Sequence, residues 1–169
     1  MQAERLIEKR VDVLHIHNHD VERFWPLVNF MIAEALKYSG GYANAYHIKD
    51  YLIEGSMQLF VVFGSDDGVK QKVFGCLVTR ITDQPNLRQL EGIILTGEKR
   101  ELWQDDMAAM IENFAIQNDC KRLCMLARPG WSKVVKKYGW KVKHVELQKE
   151  LFDRAVCLTH ASRTGCLGI

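Results

Sequence analysis

The amino-acid sequence predicts an α/β fold, a mixed β-sheet with helices on both faces, in the order β-α-α-β-β-β-α-β-α-β. Three apolar, strand-like runs follow one another between residues 57 and 96, separated by turn residues, which is the pattern of an antiparallel meander. Helical stripes then alternate with short apolar runs from residue 102 to residue 151, which calls for crossover connections. The 169 residues are 47% hydrophobic and 26% charged, enough to build a sizeable core and far from the composition of disordered or collagen-like chains.

The first strand spans Val11–His17, with Val11, Val13, His15 and His17 on one face. Phe24, Leu27, Val28, Met31, Ile32 and Ala35 then recur at i, i+3, i+4 and i+7 spacing, so a helix follows. Pro26 suits its first turn if regular helix begins near Trp25, and Ser39-Gly40-Gly41 ends it. A second helix, Ala45–Ile53, presents Ile48, Tyr51 and Leu52 inward and stops at Glu54-Gly55. The strand Met57–Phe63 joins Lys72–Ile81 through the turn Ser65-Asp66-Asp67-Gly68, and Gln84-Pro85-Asn86 leads to the strand Leu87–Thr96. Leu102–Asn118 is helical, with Met107, Met110, Ile111 and Phe114 on one stripe, and Leu123–Ala127 is a short buried strand. Pro129 opens a helix with Trp131, Val134, Val135 and Tyr138 inward and Gly139 as its stop. Trp140–Leu151 reads as a last strand with a shift of alternation near His144. Residues 1–151 form one domain in this reading. Residues 152–169 form a tail without periodicity, whose apolar end, Cys166-Leu167-Gly168-Ile169, is expected to dock on this domain or a neighbouring subunit.

Lys and Arg number 23 against 21 acids, and a net charge of +2 is too near neutral for a dedicated polyanion binder. Five cysteines without a CxxC pair read as free thiols of a reducing compartment. The longest apolar stretches, such as Met57–Gly64, fall short of a membrane span, and no charged segment leads into an apolar one at the start. A cytoplasmic protein with no membrane contact is therefore expected.

His15, His17 and His19 alternate as strand ligands to a metal would, but read better as partly exposed strand histidines, and no metal site is expected. Cys120 and Cys124 read as structural thiols, and Trp25, Trp103 and Trp131 as core or interface anchors. No GxSxG-type nucleophile turn occurs. Lys133, Lys136 and Lys137 lie opposite the Trp131/Val134/Val135 stripe and form one exposed basic face. It is either simply solvated or in contact with nucleic-acid phosphates or an acidic protein surface.

The element order, with the segment Gly97–Trp140 and its closing Lys136-Lys137-Tyr138-Gly139-Trp140, resembles the GNAT superfamily of acetyl-CoA-dependent N-acetyltransferases over residues 10–151. The blocks Ser39-Gly40-Gly41, Gly55-Ser56-Met57-Gln58-Leu59 and Arg128-Pro129-Gly130-Trp131 are similar to small GNAT-like proteins of tailed bacteriophages. The resemblance implies a glycine-rich loop that wraps the cofactor pyrophosphate at a helix N-terminus. Here that loop reads Thr96-Gly97-Glu98-Lys99-Arg100-Glu101-Leu102-Trp103, with Glu101 and Trp103 where the family has glycines. Gly97, Lys99, Arg100 and Leu102 are its candidate cofactor contacts if acetyl-CoA binds. The family's tyrosine acid falls on Val135, which leaves Tyr138 as a displaced candidate, and Glu91 is the candidate base.

Because the glycine pair is replaced and Glu101, Asp105 and Asp106 crowd the helix start, the first reading is a GNAT-fold structural or binding module. Its expected setting is virion- or assembly-associated, in the host cytoplasm and the virion, with other virion subunits as partners. The alternative is an active acetyl-CoA-dependent N-acetyltransferase acting on an amine of a small molecule or host protein. A second alternative is a nucleic-acid-contacting module that uses the basic helix.

Overall fold

The computed structural model describes residues 10–151. The expectations for the tail at 152–169 lie outside the described residues. The chain separates into two compact units, residues 1–128 and 129–169, and each is described by itself.

The first unit is built on a five-stranded sheet in the order β1-β2-β3-β4-β5. Its strands are β1 (Arg10–Ile16), β2 (Met57–Ser65), β3 (Lys72–Gln84), β4 (Leu87–Gly97) and β5 (Arg122–Met125). The first four pair antiparallel and β5 joins β4 in parallel, so the expected mixed sheet is present. Helices α1 (Val21–Leu36) and α2 (Ala45–Glu54) cover one face, and α3 (Gln104–Gln117) covers the other.

The sheet's alternation explains the two cores. Leu59, Val61, Cys76 and Val78 point toward α1 and α2 and pack with Val28, Ile32, Ile48 and Leu52. Phe60, Val62 and Leu77 point the other way and pack with Trp103 and Met107. Asn44 caps α2 by accepting from the His47 N–H at 3.0 Å, and Gly55 ends that helix at φ 82°, in the left-handed region. In the β2–β3 turn, Asp67 Oδ1 accepts from Ser65 Oγ and from the Val69 and Lys70 N–H groups at 2.8–2.9 Å. These donors, the backbone of Lys70 first, hold the Asp67 carboxyl down to about 2.

Several local expectations need correction. α1 begins at Val21, so Pro26 sits inside it, one turn later than expected. Being so near the N-terminus, it removes only one early backbone bond, and the helix continues. Leu27 and Tyr51, expected to face inward, are exposed, because the buried stripe of α1 runs through Val21, Trp25, Val28, Ile32 and Leu36 and that of α2 through Ile48 and Leu52.

In the second unit, Trp131–Val135 forms a five-residue helix, α4, that passes into a 3-10 turn at Lys136–Tyr138 and stops at Gly139, φ 86°. Residues 140–151 carry no strand. Val142 and Val145 stand three apart and so fall on opposite faces of an extended chain. Neither face is continuous, and Val142, Val145, Leu147 and Leu151 are all exposed. Among the described residues no helix is long and apolar enough to cross a membrane.

Candidate functional site at the opening between β4 and β5

One irregularity of β4 decides where Glu91 points. Val78 of β3 lies opposite Ile94, but Thr79 lies opposite Gly92, so Ile93 is an extra residue in the ladder. A bulge of this kind displaces the in-out alternation by one residue. Glu91 consequently meets Arg80 across the ladder, on the same face as Val78 and the α1/α2 core. Arg80 Nη2 donates to Glu91 Oε2 at 2.8 Å and Nη1 donates to Tyr42 Oη at 3.0 Å. The bond to Glu91 is the main cause that raises the guanidinium above its ordinary range. On the other side of Glu91 stands Cys124 of β5, half-buried, its thiol pushed up chiefly by burial and next by Glu91.

The parallel ladder between β4 and β5 is short. It runs from Gln89 opposite Arg122 to Gly92 opposite Met125 and ends there, while β4 continues along β3 to Gly97. From Ile93 to Gly97 the backbone groups on the β5 side of β4 therefore have no strand partner among the described residues. The segment after α1 makes two side-chain contacts with later parts of the first unit. Tyr42 holds Arg80 on β3, and the Tyr38 ring lies 5.1 Å from the guanidinium carbon of Arg128, beyond β5. Gly40 and Gly41, at φ 67° and 85°, supply the turn.

The loop from β4 to α3 is built differently. A Cβ on Gly97 would come within 2.5 Å of the Phe74 carbonyl oxygen and 2.7 Å of Gly75 Cα, and Trp103 fills the space beside both glycines. The indole is 3% exposed and its Nε1–H donates to the Glu98 carbonyl at 2.9 Å. Three backbone donors of the loop are committed inward: Glu98 N–H to Phe74 O, Leu102 N–H to Lys99 O and Trp103 N–H to Arg100 O. Lys99, in a left-handed conformation at φ 48°, forms an ion pair with Asp66 of the β2–β3 turn, and Lys72 pairs with Glu98 at 2.7 Å. Of the candidate cofactor contacts, Gly97 thus serves close packing of β3 on β4, and Leu102 packs against the α3-side core. Lys99 and Arg100 are the exposed cations. Asp105 and Asp106 occupy the first turn of α3, as expected.

In the second unit, Lys133, Lys136 and Lys137 are exposed, whereas Trp131, Val134, Val135 and Tyr138 are half-buried. The two expected faces of this segment are therefore present. Lys137 Nζ lies 4.9 Å from the centre of the Tyr138 ring. Tyr138 and Glu91 belong to different units.

The three histidine rings stand in a row, His15 to His17 at 5.2 Å and His17 to His19 at 5.5 Å between ring centres. His15 is sandwiched against Phe60 and Phe114, each with ring centres 4.9 Å away, and burial lowers its pKa. His17 and His19 lie beyond the strand end and are exposed. Among the described residues no group of three or more potential ligands is placed to hold a metal. Cys120 is buried and Cys124 half-buried, both as free thiols.

Sequence reasoning missed Arg80, Tyr42 and Arg128. Arg80 carried a signal, since it follows Cys76 and Val78 at strand spacing and a charge at a core-facing position needs a partner. Tyr42 and Arg128 carried none.

The sequence matches no family model and no curated protein. Solved structures do match. A probable acetyltransferase superposes with a TM-score of 0.62 at 10% identity, over 84% of this chain and 99% of that one. A ribosomal-protein-alanine N-acetyltransferase from Brucella melitensis biovar Abortus 2308 gives 0.55 at 15% identity, over 85% and 99%. The chain has the GNAT acetyltransferase fold. A predicted acetyltransferase from Clostridium acetobutylicum, solved with acetyl-CoA, gives 0.58 at 13% identity, over 83% and 96%. At these identities the likeness to GNAT proteins is one of fold.

Proposed function

We propose that this GNAT-fold protein is an acetyl-CoA-dependent N-acetyltransferase. The observation that carries the reading is the free side of β4 beyond Gly92, opened where β5 ends at Met125. An extended arm with amides in series finds there a row of backbone donors and acceptors to pair with, as an added strand would. When bound, acetyl-CoA supplies an acetyl group already activated as a thioester. Lys99 and Arg100 are the cations within reach of its phosphates in this reading, although Lys99 must exchange Asp66 for them. Glu91, aimed by the bulge, receives the acceptor amine and takes its proton directly or through water. Arg80 holds Oε2 of that carboxylate and leaves Oε1 to face the amine. Tyr138 is the candidate donor of a proton to the departing thiolate.

A second reading has its own observation. Trp103 and the three inward-turned N–H groups close the loop in which the fold's cofactor cradle would lie. A non-catalytic module suits that closure. The sequence similarity to phage GNAT-like proteins would give it a virion-associated setting, with other virion subunits or nucleic-acid phosphates as partners of Lys133, Lys136 and Lys137.

The experiment that separates the two readings follows thiol release from acetyl-CoA with a panel of amines. The enzyme reading expects turnover that Glu91→Gln lowers by about 100-fold, the lower end for loss of a general base. Absence of turnover with every amine, together with absence of acetyl-CoA binding, selects the module.

A further inference from the structure

We propose that the acceptor is an amine that also carries a carboxylate, as a free amino acid does, and that Arg80 and Arg128 select it over polycationic amines. This deepens the acetyltransferase reading and rests on it.

On the α1/α2 face two polar rows cross the sheet where β5 is still paired with β4, short of the opening. One runs Tyr42–Arg80–Glu91–Cys124 and the other runs Thr82–Gln89–Arg122. Arg80, Arg122 and Glu91 all lie close enough to Cys124 to act on its thiol. Arg122 is occupied, since its Nε and Nη2 both donate to Gln89 Oε1, at 3.0 and 2.8 Å. Arg80 is only partly so. Its two terminal nitrogens serve Tyr42 and Glu91, but its Nε is buried and has no hydrogen-bond partner among the described residues. Thr82, two residues along on the same face, has a buried hydroxyl that is equally unpartnered.

Buried polar groups are almost always paired, because leaving one dry costs most of its hydration free energy. Two orphaned groups two residues apart on one strand face therefore mark where an outside partner belongs. Both can donate, so the partner is an acceptor. A carboxylate satisfies a guanidinium edge and a hydroxyl together, and adds a charge opposite to the local excess. The Arg80 side chain is 36% exposed, so a ligand's carboxylate can approach this guanidinium while it keeps Glu91. Arg128, stacked on Tyr38 four residues before the tyrosine that holds Arg80, is the second guanidinium of the proposed selection. A polycation would instead meet like charge at each of these positions and gain only Glu91, which Arg80 already holds.

The test uses the full chain and measures kcat/KM by thiol release from acetyl-CoA. L-amino acids are compared with their own α-carboxamides, and kanamycin serves as the polycation. The proposal expects the carboxylate form to exceed its amide by about tenfold or more, as for a site built to bond one polar group of its substrate. Arg80→Gln brings the two forms to the same value, while Arg80→Lys keeps part of the difference. Arg128→Gln, outside the sheet, reduces the difference even if Arg80→Gln does not fold. Equal values for acid and amide, or a preference for kanamycin, overturn the proposal while leaving the transferase reading intact. Acetyl-CoA binding by calorimetry without turnover of any amino acid also overturns it. Absence of acetyl-CoA binding removes the transferase reading itself, and the acceptor proposal with it.

Discussion

Beyond Gly92 the β5 side of β4 is open, whereas the loop that follows Gly97 is packed shut, and the two regions lie within one stretch of chain. The open side has backbone groups without a strand partner among the described residues, and just before it β4 carries a carboxylate held by an arginine of β3. The shut loop has a buried indole, two glycines pressed together and three N–H groups turned inward. The difference teaches how one stretch of chain can leave a strand edge open while the loop that follows it becomes core. In the shut loop the residues hold one another, so their loss is felt as stability. Beside the opening they hold less, so their loss costs less stability and, in the proposed reading, is felt as activity.

This contrast can be broken from either side. The largest effect belongs to Trp103→Ala, which removes a buried indole and its hydrogen bond. It should lower unfolding stability by about 3–5 kcal/mol in denaturant titration, and a loss below 1 kcal/mol would contradict the packed loop. Arg80→Gln should cost much less, about 1 kcal/mol or under, because partly exposed ion pairs contribute little, although the same change abolishes the acid–amide preference. The smallest effect concerns Asp67, which shapes the turn that presents Asp66 to Lys99. Its carboxyl is depressed from 3.8 to about 2, so its contribution is complete above the unfolded value and is lost as pH falls from 3.8 through about 2. Melting temperatures of the protein and of Asp67→Asn should therefore differ at pH 6 and converge near pH 2. A constant difference across that range would show that the carboxylate charge plays no part.

Much of the fold was legible because its signals are local. The meander follows from dense apolar runs between turn residues, and α2 from its stripe and Gly55. Trp103, read as a core or interface anchor, is indeed buried, in the loop after Gly97. What was not legible depends on pairing between distant strands. The extra residue at Ile93 arises only when β4 is laid against β3, yet it decides that Glu91 meets Arg80. The same holds for residues 140–151, whose apolar residues suggested a strand that has no continuous face to bury. Leu27 and Tyr51 were misassigned because a helical stripe read from spacing alone can be rotated by one residue without losing its period.

The measurement that bears most directly on the open side of β4 is a calorimetric titration with acetyl-CoA and with acetyl-pantetheine, which keeps the arm and lacks the nucleotide phosphates. If the free edge from Ile93 to Gly97 supplies most of the affinity, both ligands bind with one-to-one stoichiometry. Truncation then costs no more than about tenfold, or 1.4 kcal/mol. Binding of acetyl-CoA that truncation abolishes would place the affinity on the loop after all, and no binding of either ligand would contradict the account outright.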